Sequence, residues 1–155
     1  RFGHALALGG FTEDAKQFLD LARRLDSNDA RIYRGYALIF LSLKNTQNAL
    51  KQIEIANTLE PENPEGWYLQ GKAYNELQKP ESAIAPLKKA AALAPRFAAI
   101  HAELGHAYAF QAQFGPAIDS FRKAVALDPQ NLGYQQALGA ALGMGWVMAP
   151  TRHLR

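Results

Sequence analysis

The chain has 155 residues, a formal net charge of +3 and no cysteine. This length allows one domain with a sizeable core, while the absence of cysteine excludes a disulfide framework and a thiolate metal site. No apolar run reaches the roughly 18 residues that a membrane helix requires, and the dispersed Lys and Arg residues form no cluster typical of nucleic-acid binding. We therefore expect a soluble protein of the cytoplasm or periplasm that neither inserts into a membrane nor binds nucleic acid.

Breaker residues and apolar spacing predict a chain built of helices alone. The expected helices cover residues 2–8, 13–25, 30–43, 47–59, 65–77, 81–93, 98–111, 115–127 and 132–142. Gly9 and Gly10 are expected to turn the chain after the first helix, with Thr12 as the N-cap of the second. Because the sequence opens at Arg1 within a repeat, we expect it to be a fragment of a longer protein.

One pattern occurs twice between residues 64 and 129, with a register of 34 residues. Its first copy is Trp67, Gly71, Tyr74, Ala83, Leu87, Ala90 and Pro95, and its second copy is His101, Gly105, Tyr108, Ala117, Phe121, Ala124 and Pro129. Glycine on a first helix and alanine on a second allow two antiparallel helices to approach closely. Proline then ends the second helix. Each copy predicts one helical hairpin, and their recurrence predicts a stacked array.

This spacing resembles the tetratricopeptide repeat, with its Leu-Gly-x2-Tyr, Ala-x3-Phe and terminal Pro over about 34 residues. The resemblance implies an all-α, right-handed superhelix of antiparallel helical hairpins. We divide the chain, as a single domain, into a partial unit at 1–29, full units at 30–63, 64–97 and 98–131, and a closing helix and tail at 132–155.

The pattern fades after Pro129, where Leu138-Gly139 begins to match a fifth unit but no second helix clearly follows. The segment of Trp146, Val147 and Met148 is strongly apolar. It either folds back onto the last hairpin, packs on a second copy of the chain, or contacts sequence beyond that given. Self-association through these three residues is therefore one open prediction.

The resemblance implies that the first helix of each hairpin lines a concave groove. Helical spacing then selects the expected groove residues: Arg31, Arg34, Leu38, Tyr68, Lys72, Asn75, Ala102, His106, Ala109 and Gln136. Five of these form a polar, net positive half: Arg31, Arg34, Tyr68, Lys72 and Asn75. Alanines of the fourth unit leave room for a bulky apolar side chain. We expect a protein or peptide ligand that carries an acidic group and an apolar anchor.

Catalytic, metal and cofactor motifs are not supported by the sequence. His101 and His106 are five residues apart, so a helix rotates them away from a common metal ion. Gly66, Gly71 and Lys72 match a phosphate loop in spacing, but Ala73 replaces the required hydroxyl. The aromatic residues occupy hairpin-core positions, which argues against an RNA-reading helical repeat. The two-carboxylate clamp that some relatives use for chaperone tails is not reproduced either.

We therefore predict a non-catalytic scaffold for protein interactions, without a cofactor or metal ion. The alternative is the repeat segment of a modular enzyme, such as a transferase, or of assembly or secretion machinery. In either alternative the array would position a macromolecular substrate.

Overall fold

The computed structural model describes residues 12–147. Eight helices and no strands occur within that range. The helices are α1 (Thr12–Leu25), α2 (Ala30–Ser42), α3 (Thr46–Leu59), α4 (Pro64–Glu76), α5 (Pro80–Leu93), α6 (Ala98–Phe110), α7 (Phe114–Leu127) and α8 (Leu132–Val147). The all-α solenoid expected from the repeat is confirmed. The helix expected at 2–8 and the Gly9-Gly10 turn lie outside the described residues.

Three complete hairpins, α2/α3, α4/α5 and α6/α7, are closed by the same backbone turn. Lys44, Gln78 and Ala112 lie in this turn with φ angles of 60°, 58° and 58°, in the left-handed region. These residues are 34 positions apart, so the backbone conformation repeats with the same period as the sequence. The polar connectors end in Asp29 and Asn63, whose side chains accept hydrogen bonds from the backbone amides of α2 and α4. Asx residues at the N-cap stabilise helices in this way.

Glycine allows the two helices of a hairpin to make close contact. A Cβ atom added to Gly105 would lie 2.6 Å from Cδ1 and Cε1 of Phe121, and one added to Gly71 would overlap Leu87. Ala83 and Ala117, on the second helices, are fully buried. The two helices thus approach closely at the glycines, and the side chains nearest to the glycines are Leu87 and Phe121, whereas the expectation paired the glycines with Ala83 and Ala117.

The apolar core is divided into four clusters along the array, each shared by neighbouring helices. The second cluster, for example, joins Ala37 of α2, Ile53 of α3 and Leu69 of α4. The third joins Leu87 of α5 to Ile100 of α6. Because each cluster spans two or three consecutive helices, the solenoid is stabilised by contacts within a unit and between neighbouring units.

A side-chain hydrogen bond closes every described junction between consecutive units. The donor and acceptor pairs are Tyr33 Oη to Ser27 O at 2.7 Å, Trp67 Nε1 to Pro61 O at 2.8 Å, His101 Nε2 to Pro95 O at 2.7 Å, and Gln135 Nε2 to Pro129 O at 2.6 Å. Each donor lies 34 residues after the previous one. His101 thus takes the packing position of the aromatic residue, as expected, and Gln135 extends the series to α8.

Two expected helix ends differ from the structure. Thr12 is the first residue of α1, so it is not the N-cap of that helix. The closing helix was expected to end at 142, but α8 continues to Val147. In the three preceding units the chain turns at Lys44, Gln78 and Ala112, whereas the equivalent Trp146 remains helical. α8 therefore continues past the usual turning point.

Candidate functional site

A cavity of about 520 Å³ lies between the first helices of three consecutive units. We call it the α4 cavity, because α4 provides its floor. Its lining residues are Leu38, Asn63, Pro64, Glu65, Tyr68, Leu69, Lys72, Phe97 and Ile100. The structure thus brings together three of the expected groove residues: Leu38, Tyr68 and Lys72. The wall of this cavity is mostly apolar, which suits a bulky hydrophobic side chain.

Aromatic rings form one side of the α4 cavity. The ring centroids of Tyr68 and Phe97 are 5.5 Å apart, with the planes tilted by 58°. Phe97 is about half exposed, so its ring offers free apolar surface. Burial raises the pKa of Tyr68 to about 12, with a smaller contribution from the charge of Glu103. The phenol is therefore neutral at physiological pH and retains its hydroxyl proton for hydrogen bonding.

Lys72 provides a positive charge at the α4 cavity. Its side chain is half-buried and makes no ion pair with any residue in the range 12–147. Glu65 lines the same cavity on the same helix. Its carboxylate lies 3.6 Å from Nε of Arg34, and its side chain is about half exposed at 48%. The cavity thus combines apolar walls with one ammonium group and one carboxylate.

The two arginines expected to bind a ligand are already paired within the chain. The Arg34 side chain is buried, and its Nη1 donates to Glu60 at 2.9 Å. This hydrogen bond holds the pKa of Glu60 below its usual value, and Asn63 contributes further by donating to the same carboxylate. Arg31 lies on the surface, where its Nη2 contacts Asp29 at 2.7 Å. The positive half expected from the sequence is therefore largely neutralised by carboxylates of the chain itself.

Two further expected groove residues are also engaged. The amide of Asn75 donates to the backbone oxygen of Glu103 at 3.0 Å and to its carboxylate at 2.9 Å. Ala102 is only 4% exposed. Asn75 therefore joins α4 to α6, and Ala102 packs within the array and adds little accessible surface.

A second, smaller cavity lies between α6, α7 and α8 and measures about 420 Å³. Expected residues His106 and Ala109 line it, together with Phe110, Phe114, Phe121, Ala137, Ala140, Ala141 and Met144. The imidazole of His106 contacts the ring of Phe121 edge-on, with centroids 5.0 Å apart. No charged side chain lines this cavity, so it suits an uncharged apolar group.

The open side of α8 is apolar and carries no charged residue. Leu132 and Val147 are 69% and 64% exposed. A Cβ atom added to Gly139 or Gly143 would meet nothing within 4 Å in the described structure. Gln136, expected in the groove, is exposed on this side of α8 and lines neither cavity. Met148 lies outside the described residues.

Other kinds of site lack structural support in the part of the chain that is described. Residues 12–147 contain no group of three or more His, Asp or Glu side chains arranged to hold a metal ion. None of the eight described helices combines the length and apolarity needed to span a membrane.

Sequence reasoning missed two apolar walls of the α4 cavity, Phe97 and Ile100. Phe97 lies in the connector before α6, and Ile100 lies in the first turn of that helix. The groove prediction considered four groove-facing positions along each first helix. It therefore left out the connector and the first turn of the next unit, where these two residues lie. A large aromatic residue in the short connector 94–97 was the available signal.

Comparison with known proteins identifies the repeat. The family model for the tetratricopeptide repeat matches residues 64–97 and 98–131. The small glutamine-rich tetratricopeptide repeat-containing protein 2 of Mycosarcoma maydis is 27% identical over 101 residues, which is 65% of this chain and 29% of that protein. The chain spans less than a third of the length of the curated relatives it matches.

Solved structures show the same architecture over most of the chain. MamA from Desulfovibrio magneticus RS-1 superposes with a TM-score of 0.80 and 26% identity, over 90% of this chain and 79% of that one. TTC0263, a thermophilic protein from Thermus thermophilus, has a TM-score of 0.80 and 25% identity, over 94% of this chain and 80% of that one.

Proposed function

Because residues 64–131 match the tetratricopeptide-repeat family model, we propose that the chain is a non-catalytic scaffold that binds a peptide segment of another protein along its first helices. The α4 cavity carries this proposal. It combines about 520 Å³ of mostly apolar space with Lys72, which no carboxylate of the described chain neutralises. A ligand with one apolar anchor and one acidic group complements both features.

Peptide binding to matched variants tests this function. The probe is a library of short, capped, fluorescent peptides that each contain one Phe or Leu near one Asp. We expect binding by fluorescence anisotropy, with Lys72→Glu weakening the affinity about tenfold, since interfacial charge reversal costs on the order of 1.4 kcal/mol. Lys88→Glu on α5 is the control, because Lys88 is exposed and lines neither cavity.

The apolar half of the site requires a separate variant. Leu38→Asp places a carboxylate in the cavity wall at a half-buried position. It should abolish binding of the same peptides while the circular dichroism spectrum stays helical. Equal affinities for the original chain, Lys72→Glu and Leu38→Asp would contradict a ligand site in the α4 cavity.

A repeat segment that positions a macromolecular substrate for a modular enzyme, or for assembly or secretion machinery, is the alternative we retain. Both proposals use the same groove, and they differ in what else the parent protein carries. Purifying the chain's natural complex and identifying its components by mass spectrometry separates them, since co-purification with a catalytic subunit would favour the alternative.

Self-association is a second proposal, favoured by the open side of α8. Leu132, Val147 and Trp146 are each more than half exposed on a helix without charges. A second copy of the chain, packed helix against helix, would cover this surface, and exposed glycines allow such helices a close approach. Light scattering should then show a dimer that Trp146→Asp dissociates. A monomer at all concentrations would contradict the proposal.

A further inference from the structure

The α4 cavity has opposite charges at its two ends. Glu65 and Lys72 are seven residues apart on α4, which places them two helical turns, or about 10.5 Å, apart along the axis. Tyr68 and Leu69 lie between them and form the apolar floor. A peptide lying along α4 would therefore meet a carboxylate, an apolar surface and an ammonium group in that order.

Neither charge is fully satisfied by the protein. Lys72 makes no ion pair within residues 12–147. Glu65 shares Arg34 with Glu60, and Glu60 has the shorter contact, at 2.9 Å against 3.6 Å. The Glu65 side chain is also more exposed than that of Glu60, at 48% against 42%. Glu65 is thus the looser partner of Arg34 and retains capacity for a positively charged ligand group.

The surroundings of Lys72 favour a side-chain carboxylate over a free carboxyl terminus. Asn75, three residues after Lys72 on the same helix, already donates to Glu103. Asn63, which lines the cavity, donates to Glu60. Arg31 and Arg34 are paired with carboxylates of the chain. A terminal carboxylate usually needs several donors fixed around it, whereas a single flexible ammonium group suffices for an Asp or Glu side chain.

We infer that the groove binds an internal peptide segment in which a basic and an acidic residue flank an apolar residue. This inference rests on the proposed peptide-binding function and adds the charge order of the ligand. A peptide in the polyproline II conformation advances about 3.1 Å per residue and returns its side chains to the same face every three residues, so a span of about 10.5 Å corresponds to about three residues. The basic residue contacts Glu65, the apolar residue enters the cavity, and the acidic residue contacts Lys72.

The test uses acetylated and amidated peptides that contain one Phe between one Arg and one Asp. A series in which the Arg-to-Asp separation grows by one residue at a time should bind best near a separation of three. Replacing the peptide Asp by Asn, or the Arg by Gln, should each weaken binding about threefold to tenfold. The Lys72→Gln variant should remove only the advantage of Asp, and Glu65→Gln only the advantage of Arg.

The outcomes separate this inference from the function on which it rests. If neutral peptides bind as well as charged ones, the groove binds apolar peptides and the charge order is refuted. If peptides with a free carboxyl terminus bind better than their amides, the internal segment is refuted. Failure of every peptide to bind would refute the proposed function itself. Glu54→Gln on α3 serves as the control, because Glu54 is exposed and lines neither cavity.

Discussion

Gly105 and Gly139 occupy the same position of the repeat in successive units, but their surroundings differ. A methyl group at Gly105 would lie 2.6 Å from two ring atoms of Phe121 and 2.8 Å from a third. Phe121 is 2% exposed, so its ring is closely packed except where it borders the second cavity. At Gly139 the same methyl group would meet nothing within 4 Å in the described structure. The two positions therefore form a matched pair for Gly→Ala substitution.

Two opposing effects determine how each substitution changes the free energy of unfolding. Alanine stabilises a helix interior by about 1 kcal/mol relative to glycine. Overpacking a filled core costs up to about 3 kcal/mol. Gly105→Ala should therefore lower the free energy of unfolding by about 1 to 2 kcal/mol, whereas Gly139→Ala should raise it by about 0.5 to 1 kcal/mol.

Urea unfolding followed by circular dichroism at the helix band measures both values. In thermal unfolding, each kcal/mol corresponds to roughly 2 to 4 °C for a chain of this size. The opposite signs provide the test, since helix propensity alone would stabilise both variants. If Gly105→Ala stabilises the chain as much as Gly139→Ala, glycine is not required for the close contact with Phe121.

Three further predictions concern stability. Ala117→Glu forces a charge into a fully buried position and should cost more than about 3 kcal/mol in urea unfolding; a neutral result would contradict the register. Ala112→Gly should stabilise by about 0.5 to 1 kcal/mol because it relieves a left-handed φ of 58°, whereas Ala126→Gly, within helix α7, should destabilise. Arg34 and Asn63 lower the pKa of Glu60 below its ordinary value of 4.5. The contribution of Glu60 to the free energy of unfolding is therefore full above that pH and is lost as the pH falls through the pKa of the folded state. The stability difference between the original chain and Glu60→Gln should therefore shrink on acidification below about pH 4.5, and a difference independent of pH would refute this.

The hairpins could be predicted from the sequence because small and large side chains recur at fixed positions every 34 residues, where the packing of two helices limits side-chain size. These core positions are buried inside the hairpins and do not depend on a ligand. They include Ala83, Ala117 and the residues that face Gly71 and Gly105. Seven of the described helices begin and end within one residue of the expected bounds, since caps and prolines mark their limits. The end of α8 was missed because Gly143 and Gly145, which suggest a break, lie within the helix. Its length depends on Trp146 remaining helical.

Groove chemistry was less predictable, because it depends on partners distant in sequence. Helical spacing placed Arg34 on the groove side, but only the packed structure shows that Glu60, 26 residues later, neutralises it. Asn75 is engaged by Glu103 across 28 residues for the same reason. Gly66 also had no explanation in the sequence. It faces the buried amide of Asn57, and a Cβ atom there would overlap the amide oxygen.

The junction hydrogen bonds have a consequence for how such arrays diverge. Tyr, Trp, His and Gln perform one task at equivalent positions, donating to the carbonyl six residues earlier. Within this chain, the position therefore accepts chemically different side chains that share an N–H or O–H group within reach of that carbonyl. The shared donor marks the start of each unit where the amino-acid identity does not.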